Sequence, residues 1–168
     1  FCREYGVLEG GVEQLHKEVR ENMERELEQN VRARLKQQLL DGLLAANPVD
    51  VLALQELKLT DDKFPTLAFG EAGYQSQWFG QKTYNGVALL SRSPSTDIVK
   101  NIPGFADDQA RVIAGTVNDP VVGSVRVIGC YFPNGQAPDS DKFVYKMNWL
   151  NALQAWVQDG LTRHPNLV

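Results

Sequence analysis

Residues 47–58 read NPVDVLALQELK, and the sequence changes character at this segment. Asn47-Pro48 is a helix stop, because Asn tolerates the left-handed cap conformation and Pro cannot continue a helix. Val49 to Leu54 is a short apolar run, which is typical of a buried strand, and Glu56 follows it closely. The segment therefore predicts a helix before residue 47 and a sheet that begins after residue 48.

The part before Asn47 has the spacing of a long helix. Its apolar residues recur at a mean step of about 3.9 residues, which is longer than the 3.6 of a straight helical stripe. The apolar line therefore winds around the helix, and a single flat partner cannot cover it. Two alternatives satisfy this pattern: two helices, or one long helix that changes neighbours. The apolar residues are Val12, Leu15, Val19, Met23, Leu27, Val31, Leu35, Leu39 and Leu43.

The part after Pro48 alternates strand and turn patterns before it returns to helical spacing. The strand candidates are rich in β-branched and aromatic residues, and Asn-Gly and Asp-Pro pairs separate several of them. Phe143 to Leu161 has the spacing of a helix. The strand candidates after residue 54 are Tyr74–Phe79, Gly86–Ser91, Arg111–Val117 and Ser124–Phe132. This order predicts a mixed α/β domain.

Length and composition limit the class of protein. The 168 residues suffice for one domain or for a small domain with an appendage. The net charge of −4 and the pI of about 5.2 argue against a global electrostatic grip on nucleic acid, but not against a local one. No apolar run is long enough to span a membrane, and the first residues lack a signal-peptide layout. The absence of an initiator Met suggests a fragment.

The cysteines and these absences together predict a cytoplasmic location. Cys2 and Cys130 are too few for a disulfide framework and lack the spacing of a metal site. We therefore expect both thiols to be free in a reducing compartment. We expect no membrane partner.

Several motifs follow one another in a fixed order after the helix. They are Leu54–Lys58, Tyr84–Arg92, Ala110–Ile113, Tyr131–Gly135 and the run Asp141–Trp149. In order and spacing they resemble the exonuclease III family of Mg²⁺-dependent DNA-repair nucleases, which belongs to the endonuclease/exonuclease/phosphatase superfamily, and the resemblance covers about Leu39 to Val168. Enzymes of this family cleave DNA beside abasic sites and remove nucleotides from 3′ ends, so the resemblance implies DNA as a partner.

The resemblance also implies roles for three residues. Glu56 matches the Glu that binds the metal, and a hard carboxylate ligand suits Mg²⁺. Tyr131 matches a catalytic Tyr close to the scissile phosphate, and Asn134 matches the polar residue that helps to hold the DNA backbone. Two structural alternatives remain beside these roles: Tyr131 as a core tyrosine, and Asn134 as a turn residue before Gly135.

Other residues favour structural interpretations. Arg111 and Lys142 have the chemistry to contact DNA phosphate, but the sequence favours a solvated or ion-paired surface role for both. Trp149 and Trp156 lie seven residues apart on the predicted helix and are better interpreted as core than as base-stacking groups.

The chain departs from the family's pattern at both ends. Family members begin with a strand that carries a Trp-Asn-Val-Asn-like segment, which is absent here. Their Gly-Asp-x-Asn motif follows a strand that would begin near Leu167-Val168, and their final Ser-Asp-His segment has no counterpart. We therefore expect an incomplete half of a two-sheet α/β sandwich, with about one layer of sheet. An uncovered apolar face of that sheet would favour self-association.

The first 47 residues have a resemblance of their own. The segments Phe1–Val7, Val19–Leu27 and Gly42–Asn47 look like the helical C-terminal domain of trigger factor, a ribosome-associated chaperone. We therefore predict a helical segment at 1–47 and a partial nuclease domain at 48–168, joined as a chimera. Three functional hypotheses follow: a truncated Mg²⁺-dependent nuclease that is inactive as an isolated chain, a chaperone-like helical binding module, or an inactive chimera.

Overall fold

The computed structural model describes the backbone of residues 2–168 and the side chains of residues 13–31, 34, 38, 41, 42 and 44–168. The chain divides into two units, Phe1–Pro48 and Val49–Val168. In the first unit a single helix, α1, spans Cys2–Ala46. Of the two arrangements open to its apolar pattern, the structure therefore has one continuous helix.

The second unit contains six strands and two further helices. They form two three-stranded antiparallel sheets, with the strand orders β1-β3-β2 (sheet A) and β4-β5-β6 (sheet B). The elements in chain order are β1 (Val51–Gln55), a 3₁₀ turn (Asp61–Lys63), α2 (Thr66–Glu71), β2 (Gln75–Phe79), β3 (Val87–Ser91), β4 (Ser95–Lys100), β5 (Val112–Asp119), β6 (Gly123–Cys130) and α3 (Asp141–Arg163). The predicted α/β class, with a long helix before a partial two-sheet sandwich, is confirmed.

The two sheets pack face to face. Leu89 of β3 and Ile113 of β5 belong to one buried cluster. Two glycines of sheet B permit the close approach: a Cβ atom at Gly115 would lie 2.9 Å from Leu89 Cδ2, and one at Gly129 would lie 3.2 Å from the Cβ atom of Ala53. The expectation of about one layer of sheet is therefore wrong, because the chain contributes three strands to each of two layers.

Helix α3 covers the other face of sheet B. Trp149 and Leu153 of α3 form a buried cluster with Val112 and Ile102. Trp149 is 1% exposed, and Trp156 packs against the same cluster. The interpretation of both tryptophans as core residues is confirmed.

The apolar faces of the strands are covered. Among the described residues, the exposed large apolar side chains lie on helices and in loops, and none belongs to a strand. The prediction of an uncovered apolar sheet face is therefore wrong for the described residues, while self-association stays a prediction. No helix in the described part combines the length and apolarity needed to cross a membrane. Cys130 is a free thiol, whereas the side chain of Cys2 lies outside the described residues.

An isolated bridge forms beside β6, where the sequence predicts the start of a strand. Leu167 forms a parallel bridge with Arg126. The Val168 N–H donates to the Arg126 carbonyl, and the Ile128 N–H donates to the Val168 carbonyl, both at 2.8 Å. The bridge lies where the strand is expected to start, near Leu167-Val168, and the strand itself stays a prediction.

Candidate functional site

A cleft of about 590 Å³ brings together the three residues singled out from the sequence. Glu56, Tyr131 and Asn134 all line it. Its walls come from the loop after β1, the loop before β3, the residues just before β5, the loop after β6 and the first turns of α3. The topology therefore collects motifs that lie up to about 90 residues apart along the chain.

Tyr131 and Glu56 are joined directly. The Tyr131 hydroxyl donates a hydrogen bond to Glu56 Oε1, and Lys58 Nζ lies 3.3 Å from Glu56 Oε2. The hydrogen bond from Tyr131 and, after it, the contacts with Lys58 lower the pKa of the Glu56 carboxyl below its ordinary value. The same hydrogen bond raises the pKa of the Tyr131 hydroxyl. At neutral pH the cleft therefore presents an ionised carboxylate beside a protonated phenol.

The loops around the cleft hold an unusual backbone conformation. Five of the seven non-glycine residues with positive φ in the described part lie in these loops: Glu56, Lys58, Thr83, Asn85 and Gln136. Such conformations persist only where the surrounding structure enforces them, and they cluster at functional sites. Two backbone hydrogen bonds hold the loops at residues 56–58 and 85–86 together, because the N–H groups of residues 57 and 58 donate to the carbonyls of residues 86 and 85.

Replacing Thr83 with glycine is expected to stabilise the protein. A β-branched residue at φ 74° is strained, and glycine adopts this conformation freely. Relief of the left-handed strain, about 1–2 kcal/mol, should exceed the added chain entropy of glycine, about 0.5–1 kcal/mol. We therefore expect Thr83→Gly to raise the free energy of unfolding by up to about 1 kcal/mol in urea titrations followed by circular dichroism. Thr60→Gly is the matched control, because Thr60 has an ordinary φ of −72°, and it should not stabilise. Equal effects of the two changes would contradict strain at Thr83.

Asn134 has a structural task in its turn. Its Oδ1 accepts a hydrogen bond from the Gln136 N–H at 2.8 Å, and its carbonyl accepts from Lys146 Nζ at 3.4 Å. Among the described residues no hydrogen bond is made by its amide nitrogen. The turn interpretation and the DNA-contact interpretation are therefore compatible, because the oxygen serves the turn while the NH₂ group can donate to a phosphate.

Arg111 differs from its sequence interpretation. Its guanidinium lies 5.1 Å from the centroid of the Tyr131 ring, and its Nη1 donates to the Tyr131 carbonyl at 3.1 Å. It is half-buried, and no carboxylate in the described part forms an ion pair with it. The solvated or ion-paired role is therefore wrong for Arg111, since it packs against Tyr131 instead.

Sequence reasoning also missed several members of the site. Lys58 stands two residues after Glu56 in the opening motif, and Asn85 belongs to the Asn-Gly turn before β3, so both lay within segments already noted. Gln109 had no signal of its own, because nothing in the sequence indicates that its side chain reaches Arg111.

The charges of the cleft suit a polyanion. Lys58, Arg111 and Lys142 line it, and Glu56 is the one acidic residue among its described lining. The chain as a whole is acidic, so this is a local excess of positive charge. Lysine and arginine side chains beside neutral hydrogen-bond donors are the groups that contact phosphates in nucleic-acid-binding proteins.

The described residues do not form a complete metal site. No group of three or more His, Cys, Asp or Glu side chains within the described part could hold an ion together. Mg²⁺ prefers six oxygen ligands in near-octahedral geometry and keeps waters where protein ligands are few. Glu56 has the right chemistry for one ligand, but a single carboxylate would bind the ion weakly.

A separate cavity of about 520 Å³ has different chemistry. It lies between α3 and sheet B, and its lining is mostly apolar, with Phe105, Trp156 and Leu167 among its residues. It shares no residue with the cleft at Glu56. Neither Glu56, Tyr131 nor Asn134 lines it, so the cleft is the candidate site.

The model of the Endonuclease/Exonuclease/phosphatase family matches residues 22–168. Among solved structures, one similar protein is the 3′ phosphatase NExo from Neisseria bound to a product DNA hairpin. Its sequence is 48% identical and its TM-score is 0.72, and the match covers 79% of this chain and 50% of the NExo chain. An AP endonuclease from Archaeoglobus fulgidus is 32% identical with a TM-score of 0.66, and the match covers 75% of this chain and 47% of the endonuclease chain. The chain thus spans about half the length of these proteins.

A second group of relatives matches a shorter part of the chain. Trigger factor of Pseudomonas savastanoi pv. phaseolicola is 51% identical over 51 residues, which is 30% of this chain and 12% of that protein. Trigger factor of Ectopseudomonas mendocina is 57% identical over 51 residues, with the same coverage. Both resemblances identified from the sequence are therefore confirmed, but the chain spans only about an eighth of the length of these curated relatives.

Proposed function

Because the chain belongs to the Endonuclease/Exonuclease/phosphatase family, we propose that its cleft binds the phosphodiester backbone of DNA. The site would serve a Mg²⁺-dependent DNA-repair nuclease that acts at abasic sites and 3′ ends in the cytoplasm. The observation that carries the proposal is the meeting of Glu56, Tyr131 and three cations in one cleft. Two relatives support it, a 3′ phosphatase that binds a DNA hairpin and an AP endonuclease.

Each residue has a proposed task at the phosphate. Lys58, Arg111 and Lys142 would attract the backbone and neutralise its charge. The Tyr131 hydroxyl, which donates to Glu56, would donate to a phosphate oxygen when DNA is bound. The Asn134 amide would donate a second hydrogen bond and fix the register of the backbone.

Glu56 would contribute one ligand to Mg²⁺. The substrate phosphate, water and further oxygen ligands would have to complete the coordination, since the cleft offers no second carboxylate among its described lining. The trigger factor match covers only 12% of those proteins and supports no task at this cleft.

Removing a cleft lysine is expected to weaken DNA binding and to reduce its salt dependence. Lys142 lines the cleft, so we expect Lys142→Ala to reduce affinity for an abasic-site duplex about threefold to tenfold. The slope of log affinity against log salt concentration should become shallower by about 1, which corresponds to the loss of one phosphate contact. Fluorescence anisotropy between about 50 and 200 mM salt measures both quantities.

Lys63→Ala is the matched control for Lys142→Ala. It removes the same charge from a residue of the 3₁₀ turn that does not line the cleft. Its affinity and salt slope should stay close to those of the unchanged chain. Equal losses in the two variants would mean that net charge alone, and not this cleft, governs DNA binding, and absence of any binding would contradict the proposed function.

A further inference from the structure

One amide oxygen lies at the centre of a hydrogen-bond network in the walls of the cleft. Gln109 Oε1 accepts from Arg111 Nη2 at 2.7 Å and from Arg111 Nε at 3.1 Å. It also accepts from Asn85 Nδ2 at 3.3 Å. Three donors from two different walls of the cleft therefore converge on a single acceptor.

Arg111 transmits this anchoring to Tyr131. The two Gln109 bonds fix the plane of the guanidinium, because Nε and Nη2 form one edge of it. The guanidinium lies against the Tyr131 ring at 5.1 Å, and its Nη1 bonds the Tyr131 carbonyl. The backbone adds a 2.7 Å bond from the Tyr131 N–H to the Arg111 carbonyl. The Tyr131 ring therefore packs against the Arg111 guanidinium, whose orientation is set by Gln109.

Asn85 connects the same oxygen to the opposite wall. Its side chain is 6% exposed, and its Nδ2 also donates to Gln81 Oε1 at 2.9 Å. Gln81 Oε1 accepts in addition from the Ala110 N–H at 2.9 Å. The loop of residues 81–86 is therefore tied to residues 109–111 by side-chain amides at both of its ends.

The segment that carries Gln109 is itself anchored. Its N–H donates to Asp107 Oδ1 at 3.0 Å, and the Tyr145 hydroxyl of α3 donates to Asp107 Oδ2 at 2.8 Å. Asn101 Nδ2 donates to the Asp107 carbonyl at 2.9 Å. Through Asp107, the segment that carries Gln109 is bonded both to helix α3 and to the residue that follows β4. These bonds fix the position of the Gln109 amide oxygen to which both walls of the cleft are bonded.

We infer that Gln109 is a positioning residue that sets the orientation of Tyr131 relative to the loop of residues 81–86. Through Arg111 it fixes one wall of the cleft, and through Asn85 it fixes the other. The consequence is that Gln109, which does not itself contact Glu56, controls the width of the cleft where a phosphate would bind. This consequence rests on the proposed function.

The test follows the tyrosine ring resonances of the full chain by NMR without DNA, with Tyr131 assigned from a Tyr131→Phe variant. Gln109→Ala should shift the Tyr131 ring resonances, because the guanidinium loses its fixed plane. Gln109→Glu should return them to their original positions, because a carboxylate oxygen has the same reach as the amide oxygen. A role confined to global stability would change the melting temperature and leave these selective shifts absent.

A double-mutant cycle tests the link between the walls. Asn85→Gly removes the side chain but tolerates the φ of 55°. It should shift the Tyr131 resonances in the unchanged background and have little effect when Gln109 is already alanine. Asn166→Ala is the control, because its amide bonds the carbonyls of Val122 and Ser124 away from the cleft lining, and it should leave Tyr131 unshifted.

Unshifted Tyr131 resonances in a folded Gln109→Ala chain would overturn the inference, as would an equal shift in Asn166→Ala. If Gln109→Ala does not fold, the Arg111→Lys variant serves as the test. It keeps the positive charge but lacks the guanidinium edge that bonds Gln109, so it should shift the Tyr131 ring resonances in the same way. DNA affinity should fall about threefold to tenfold in Gln109→Ala. If the unchanged chain binds no DNA, the proposed function fails, while the NMR result still judges the positioning role.

Discussion

With Mg²⁺ and an abasic-site duplex, the isolated chain is expected to incise DNA at a rate close to that of a reaction without protein, and Glu56→Ala should not lower that rate. The cleft contains one carboxylate and, among its described lining, no histidine or aspartate that could act as a base. Lack of a general base removes a factor of about 10²–10⁴, and lack of a preorganised electrostatic group removes a similar one.

The measurement is a gel assay of a labelled duplex over hours, with the chain and the Glu56→Ala variant purified in the same way. Tyr131→Phe is a second control, since it removes the hydroxyl that bonds Glu56 and keeps the ring. A rate well above background that Glu56→Ala abolishes would contradict the expectation and would mean that this cleft is catalytic by itself or is completed by another chain.

Trp149→Ala is expected to cause a large loss of stability. Trp149 is 1% exposed within the cluster under sheet B, and truncating a buried tryptophan to alanine costs about 3–5 kcal/mol. Small domains are stable by about 5–15 kcal/mol in total. The variant should therefore unfold at a much lower urea concentration, with a similar slope.

Val144→Ala provides the comparison on the same helix. Val144 is 57% exposed, so its truncation should change the free energy of unfolding by less than about 0.5 kcal/mol. An unchanged urea midpoint for Trp149→Ala would contradict the core assignment of this tryptophan.

Trp149 also contacts the ring of Phe132, which lines the cleft, at a centroid distance of 5.1 Å.

The positions of most elements could be predicted because their signals are local. The strand predicted at Tyr74–Phe79 is observed at Gln75–Phe79, and the helix predicted at Phe143–Leu161 is observed at Asp141–Arg163. Strand β4, helix α2 and the short 3₁₀ turn at Asp61–Lys63 were missed. Strand β4 contains charged residues and is interrupted by a register shift between Thr96 and Val99, so it lacks the regular alternation of a strand. Helix α2 has only six residues, too few for a periodic signal.

The motifs predicted the three cleft residues, but not what surrounds them. Glu56, Tyr131 and Asn134 were identified from a family resemblance, and the structure places all three on one cleft, while their catalytic and binding roles remain predictions. Gln109 could not be found in this way, because its partners Asn85 and Arg111 are recognised only once the chain has folded.

The sequence by itself determined the helix that ends before Asn47, most of the strands and turns after it, and the family, because turn residues, apolar periodicity and ordered motifs act over short ranges of the chain. Only the tertiary structure decided which strands pair. Strands β3 and β4 are separated by three residues and nevertheless belong to different sheets. Their partners are chosen by packing across the sandwich, where Gly115 admits Leu89, and such contacts between distant residues leave no local pattern.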